Sequence, residues 1–231
     1  MLFDLISGLF SGQKISFFEL IVGLLSSIFV IFVTMPIHEW AHAFVAYRLG
    51  DRTAKYYGRL TLNPFAHIDW TGAVLVMLFG FGFAKPVPVD QRNFKKPKLG
   101  MALVGLAGPL ANVLTAFVCI LLQATFSLIA TMLSSVALGY VAFFFFWAGQ
   151  INLYLAAFNL IPLPPMDGSR ILFAVLPDRI YYRIQSYERY IYLIVLFCAA
   201  FGLLSKPTAY IANGLSLVCT NMVYRIFSLF L

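Results

Sequence analysis

The sequence predicts an all-α polytopic membrane protein of about five to six transmembrane helices, with one short re-entrant β/loop segment at roughly 72–89. Three observations carry that prediction. Of 231 residues, 61% are hydrophobic and 11% charged, where a soluble domain carries about 25% charged residues. The mean hydropathy is +0.89. The apolar residues come in long uncharged runs, the longest from 99 to 166, which is the pattern of several spans rather than of one buried core. A water-soluble globular fold is excluded. The formal charge of +7, from 16 Lys+Arg against 9 Asp+Glu, reads as basic loops retained on the cytoplasmic side, not as a nucleic-acid surface.

Each element follows in order. Met1–Gly12 has helical spacing in Leu2, Phe3, Ile6, Leu9 and Phe10, with Asp4 where a signal peptide would be basic, so it is expected to lie along the interface rather than be cleaved. From Ser16 the chain stays apolar through Met35 with Glu19 its one charge, then admits a cluster of ionisable residues before Arg48, which predicts a first long helix. Gly72–Ala84 is apolar but short, and is interrupted by Gly80 and Gly82. It lies between two basic loops, one with Arg48, Arg52, Lys55 and Arg59, the other with Lys85, Arg92, Lys95, Lys96 and Lys98. A full span between them would place them on opposite sides, so residues 72–89 are expected to dip in and return as short strands shielded by helices.

The uncharged stretch 99–166 must hold two spans, joined near Ser127 to Gly139. Arg170, Arg179, Arg183 and Arg189 mark a third basic loop, and Tyr190–Ser205 with Pro207–Tyr224 read as a closing hairpin. Alternation then sets the amino terminus outside, all three basic loops inside and the carboxyl terminus cytoplasmic, in a multi-pass protein of the cell membrane. Residues 1–231 read as one membrane-embedded domain, with a core at about 16–172 and the hairpin at about 190–224. Cys119, Cys198 and Cys219 sit in apolar runs without paired spacing and are read as reduced thiols.

Ionisable groups inside an apolar helix cost a few kcal/mol each, so they are functional candidates. His38 and His42 lie one helical turn apart on the same face and can grip one metal ion. Glu39, one position on, can reach a metal-bound water. In this pattern zinc lowers the pKa of its water toward roughly 7 and the glutamate takes the proton, producing a hydroxide nucleophile. A catalytic zinc needs a third protein ligand and an open position. The available donors are His67, Asp69 and Asp167. Asp167 is the first charge after the long uncharged stretch and follows Pro162, Pro164 and Pro165, which break the helix. It also precedes Gly168, so an ordinary turn role is the alternative.

Three ordered stretches resemble the signatures of the site-2 protease family of intramembrane zinc metalloproteases: His38-Glu39-Trp40-Ala41-His42, Gly108-Pro109-Leu110-Ala111-Asn112, and Asn159 to Gly168. Asn63 to Asp69 and Phe83 to Val89 are similar to the short bacterial branch, which lacks PDZ and CBS domains. The resemblance covers about residues 30–172. It implies one zinc ion per chain held by His38, His42 and Asp167, with Glu39 as catalytic acid/base. It further implies that the 72–89 dip offers a strand edge to an unwound substrate. Asn112 matches a position that holds substrate or stabilises the developing oxyanion, with helix packing as the other reading. Asn159 could bond carbonyls freed by the broken helix, and His67 and Asp69 are left outside the metal site.

The implied function is cleavage of transmembrane segments of membrane proteins, with the active site toward the cytoplasmic half. Neither a peptide-binding insert nor a nucleotide-sensing domain fits in the chain. Control would then fall to substrate presentation, an unidentified regulatory membrane partner, or the hairpin 190–224, as a lateral gate or a plain packing pair. A catalytically silent membrane chaperone or scaffold of the same fold is the alternative function.

Overall fold

The computed structural model describes residues 17–79 and 84–229, so the interfacial helix expected at Met1–Gly12 lies outside the described residues. Its first element is one long helix, α1 (Phe17–Arg48), apolar enough over its length to cross a membrane. The helix widens into a π-turn at Val30–Thr34, where Met35 N–H donates to Val30 O. Pro36 supplies the cause: it has no N–H to donate, and its ring crowds the carbonyl four residues back.

Two short helices, α2 (Thr53–Tyr56) and α3 (Pro64–His67), precede α4 (Trp70–Phe79). Asn63 caps α3 through Phe65 N–H, and Asp69 Oδ1 accepts from the N–H groups of Thr71 and Gly72 at the start of α4. Residues 84–90 are irregular. Lys85 N–H donates to His67 O at 2.8 Å, so the two ends of the 68–84 segment meet, as a dip that returns requires. The strands expected within it are not formed: among the described residues it is a helix followed by irregular chain. Pro86 and Pro88 each remove a donor that a ladder would need.

α5 (Pro97–Met132) and α6 (Val136–Asn159) pair as an antiparallel hairpin, closed by Ser134 at φ 50° and capped by Ser135. Ala116 and Ile120 of α5, Leu153 and Ala157 of α6, and Ala212, Cys219 and Val223 of α10 (Ser205–Phe227) form one buried cluster. The alanines let three backbones come close, which is how helices associate where lipid offers no hydrophobic driving force. A second cluster joins Ile31 and Met35 of α1 to Ala73 of α4 and Leu155 of α6.

Between α6 and α10 lie α7 (Asp167–Val175), α8 (Asp178–Ser186) and α9 (Glu188–Ala200). Among the described residues three helices are both long and apolar enough to span: α1, α5 and α6. α10 has the length, 23 residues, with more polar side chains, whereas α9 is apolar but has only 13 residues, about 20 Å of helix.

Three contacts bring the basic segments to one end of the bundle. Asp51, fully buried, accepts from Asp90 N–H and Asn93 Nδ2, both at 2.8 Å. Arg59 donates to Lys85 O. Lys98 Nζ donates to Leu176 O at 2.8 Å, which sets the end of α7 beside the start of α5.

Candidate metal centre

α1 carries His38, Glu39 and His42 into the interior just beyond its π-turn, and all three are buried. α7 begins at Asp167, also buried, so its side chain projects from the break after α6 toward α1. The result is a close triangle of atoms. His38 Nε2 and His42 Nε2 are 3.0 Å apart, and Asp167 Oδ2 is 3.2 Å from the first and 3.1 Å from the second.

Hydrogen bonds on the far side of each ring decide what that triangle presents. His42 Nδ1 is 2.6 Å from Val104 O, a carbonyl that only accepts, so Nδ1 donates there and Nε2 is the nitrogen turned toward the triangle. His38 Nδ1 is 3.3 Å from Asn112 Oδ1 and is oriented in the same sense. Two imidazole nitrogens and one carboxylate oxygen thus converge on one point, a donor set of the kind that holds a metal ion. Tetrahedral zinc with ligands about 2.0 Å away has ligand–ligand edges of about 3.3 Å, close to the edges here. The donor set fits zinc, and the bonds to Val104 and Asn112 are the outer contacts that orient histidine ligands.

Gly108 of α5 keeps this space open. A Cβ there would collide with Nε2 of both histidines. At Gly105, one turn earlier, a Cβ would come within 2.8 Å of Asp167 O and 2.9 Å of Arg170 Cβ, so α7 can lie against α5 only because this residue is glycine.

The three donors open on a cavity of about 370 Å³. Glu39, Asn112 and Arg170 share its polar wall, Leu155, Phe158 and Met166 form an apolar wall, Pro86 and Val87 contribute from the loop after α4, and Tyr192 and Val195 of α9 close one side.

His38, Glu39, His42, Asn112 and Asp167 therefore meet in one place. His67 and Asp69 do not join them. His67 is buried with Nε2 2.8 Å from Thr61 O, beside the junction with Lys85, and Asp69 is the cap of α4. Asn159 lines the cavity and donates to Leu155 O at 3.0 Å, which matches the role of bonding a carbonyl near a helix break. Arg170 and Gly108 belong to the site as well, and the sequence alone does not single them out. A signal existed for Arg170, its i,i+3 spacing from Asp167, while Gly108 is legible only once α1 lies across α5.

The model of Peptidase family M50 matches residues 26–203. Three relatives bear the description "Putative zinc metalloprotease". YwhC of Bacillus subtilis is 43% identical over 178 residues, covering 76% of this chain and 81% of the relative. MJ0611 of Methanocaldococcus jannaschii is 33% identical over 138 residues, covering 58% and 62%. Rip2 of Mycobacterium tuberculosis is 31% identical over 175 residues, covering 72% and 64%. No solved structure matches the chain.

Proposed function

The chain belongs to peptidase family M50, the zinc metalloproteases of the site-2 protease type, and from that premise we propose that it is an endopeptidase that cuts within or beside the transmembrane segments of membrane proteins. The observation that carries this reading is the convergence of His38, His42 and Asp167 with Glu39 on one buried cavity, at the inner part of a helix apolar enough to span.

In this reading His38 and His42, through Nε2, and Asp167, through Oδ2, hold one zinc ion. Bound there, zinc would supply Lewis acidity, lowering the pKa of water toward about 7 and polarising the scissile carbonyl. The remaining work belongs to the chain. Glu39 takes a proton from the attacking water on its carboxylate and returns it to the leaving amide nitrogen. Asn112 orients His38 through Oδ1, which leaves its Nδ2 free to donate to the oxyanion as charge develops. The apolar wall of Leu155, Phe158 and Met166 accepts an unwound stretch of transmembrane sequence, and the irregular chain at 84–87 lies alongside it. α9 lines the cavity while α10 is built into the α5–α6 cluster. Of the closing pair, α9 is thus the lateral gate and α10 part of the frame, in one membrane-embedded unit.

The basic segments gathered at one end of the bundle support a reading in which that end is cytoplasmic, the amino terminus outside and the cavity in the cytoplasmic half. Glu39→Gln tests the mechanism. Cleavage should fall by at least the 10²–10⁴-fold typical of a lost general base, while zinc content stays that of the wild type. Cleavage at the wild-type rate would overturn the assignment.

A further inference from the structure

We propose that Arg170 is a positioning residue for the metal centre: its guanidinium holds Asp167 so that only one carboxylate oxygen faces the histidine pair. The inference rests on the reading of His38, His42 and Asp167 as the zinc ligands and adds a residue to it.

The two oxygens of Asp167 have different surroundings. Oδ2 is 3.1–3.2 Å from both histidine Nε2 atoms. Oδ1 is 3.8 Å from Arg170 Nη1, three residues on along α7. That distance is beyond a hydrogen bond, so the contact acts as charge attraction, in a site where side-chain exposure is 29% for Arg170 and 11% for Asp167. The stem of Arg170 packs against α5. Gly105 of α5 gives room for the arginine stem: a Cβ there would lie 2.9 Å from Arg170 Cβ and 3.3 Å from Cδ. Among the described residues Arg170 is the one Lys or Arg that lines the cavity, which Asp167 and Glu39 also line.

The chemistry gives this arrangement a purpose. A catalytic zinc site works with three protein ligands and one open position. An unrestrained carboxylate can turn away from the histidine pair, and ordering it again when the ion binds costs affinity. A cation beside Oδ1 holds Oδ2 toward the histidines before the ion arrives, so less ordering is left to offset binding. Groups in this outer role typically change metal affinity 10–100-fold when removed.

The test is zinc affinity, measured by competition with a chelator on the purified full chain in detergent, for Arg170→Met, Arg170→Lys and Asp167→Ala. Methionine keeps an unbranched stem against Gly105 and removes the charge; lysine keeps the charge. Arg170→Met should weaken zinc binding about 10–100-fold, Arg170→Lys should recover most of it, and Asp167→Ala should abolish it. If Arg170→Met binds zinc like the wild type while Asp167→Ala does not, the role of Arg170 is overturned and the ligand assignment stands. If Arg170→Lys is as weak as Arg170→Met, charge is not what orients the carboxylate and the proposal also falls. Wild-type affinity in Asp167→Ala would overturn the ligand assignment and this inference with it.

Discussion

Gly108 shows how much of the centre depends on an atom that is missing. In the interior of a helix, alanine is favoured over glycine by about 1 kcal/mol, so Gly108→Ala should leave α5 at least as stable on local grounds. Its Cβ would nevertheless collide with Nε2 of His38 and His42. Gly108→Ala is therefore expected to lower zinc content sharply in a protein that still inserts and remains helical, as metal analysis beside circular dichroism would show. Full zinc occupancy in that variant would mean that the histidines can retreat. At this scale the sequence was legible where one helix supplies both partners, as with His38, Glu39 and His42. It was silent where one residue's value lies in what it leaves room for on another helix.

At the scale of elements, Asp51 decides how the segment between α1 and α5 is organised. It is a buried carboxylate at the end of α1 that gathers Thr53 N–H at 3.0 Å, the Thr53 hydroxyl, Asp90 N–H and Asn93 Nδ2. Burial pushes its carboxyl up, but the bonds from Thr53, Asp90 and Asn93 outweigh burial and hold it below its ordinary 3.8. A depressed carboxyl contributes stability that is present above its unfolded value and lost as pH falls through the folded one. The junction should therefore be intact at neutral pH and weaken below 3.8. Asp51→Ala strands its buried donors, at a cost of about 1–3 kcal/mol. It should speed proteolysis between residues 49 and 96 at neutral pH, and that difference from the wild type should shrink in acid. A difference that persists unchanged through pH 3 would assign the effect to packing instead.

Two basic loops cannot face opposite sides at low cost, which is why the sequence is read as leaving and returning over 72–89. It expected strands where the chain forms α4. A short apolar run has no period that distinguishes a buried strand from a buried helix. The Asp69 cap and the two prolines after α4 favour helix followed by irregular chain.

For the molecule as a whole, the junctions at Asp51, Lys85 and Lys98 make a prediction about sidedness. In a background without native cysteines, cysteine at Lys55, Lys95 or Arg179 should react with an impermeant label from the same side of the membrane. Cysteine at Ser135, in the turn between α5 and α6, should react from the other. Opposite sidedness for positions 55 and 95 would show that the segment between them spans.

The sequence by itself determined that this is a helical membrane protein with a helix that carries two histidines and a glutamate on one turn. In a chain that is only 11% charged, each charge costs free energy in lipid, and its position therefore carries meaning. Only the tertiary structure brought Asp167, rather than His67 or Asp69, to within about 3 Å of the histidines. It also decided which oxygen of Asp167 faces them, made room for them at Gly108 and set Arg170 behind them. These are contacts between α1, α5 and α7, helices far apart in the chain, and local sequence period and charge do not encode how separate helices approach one another.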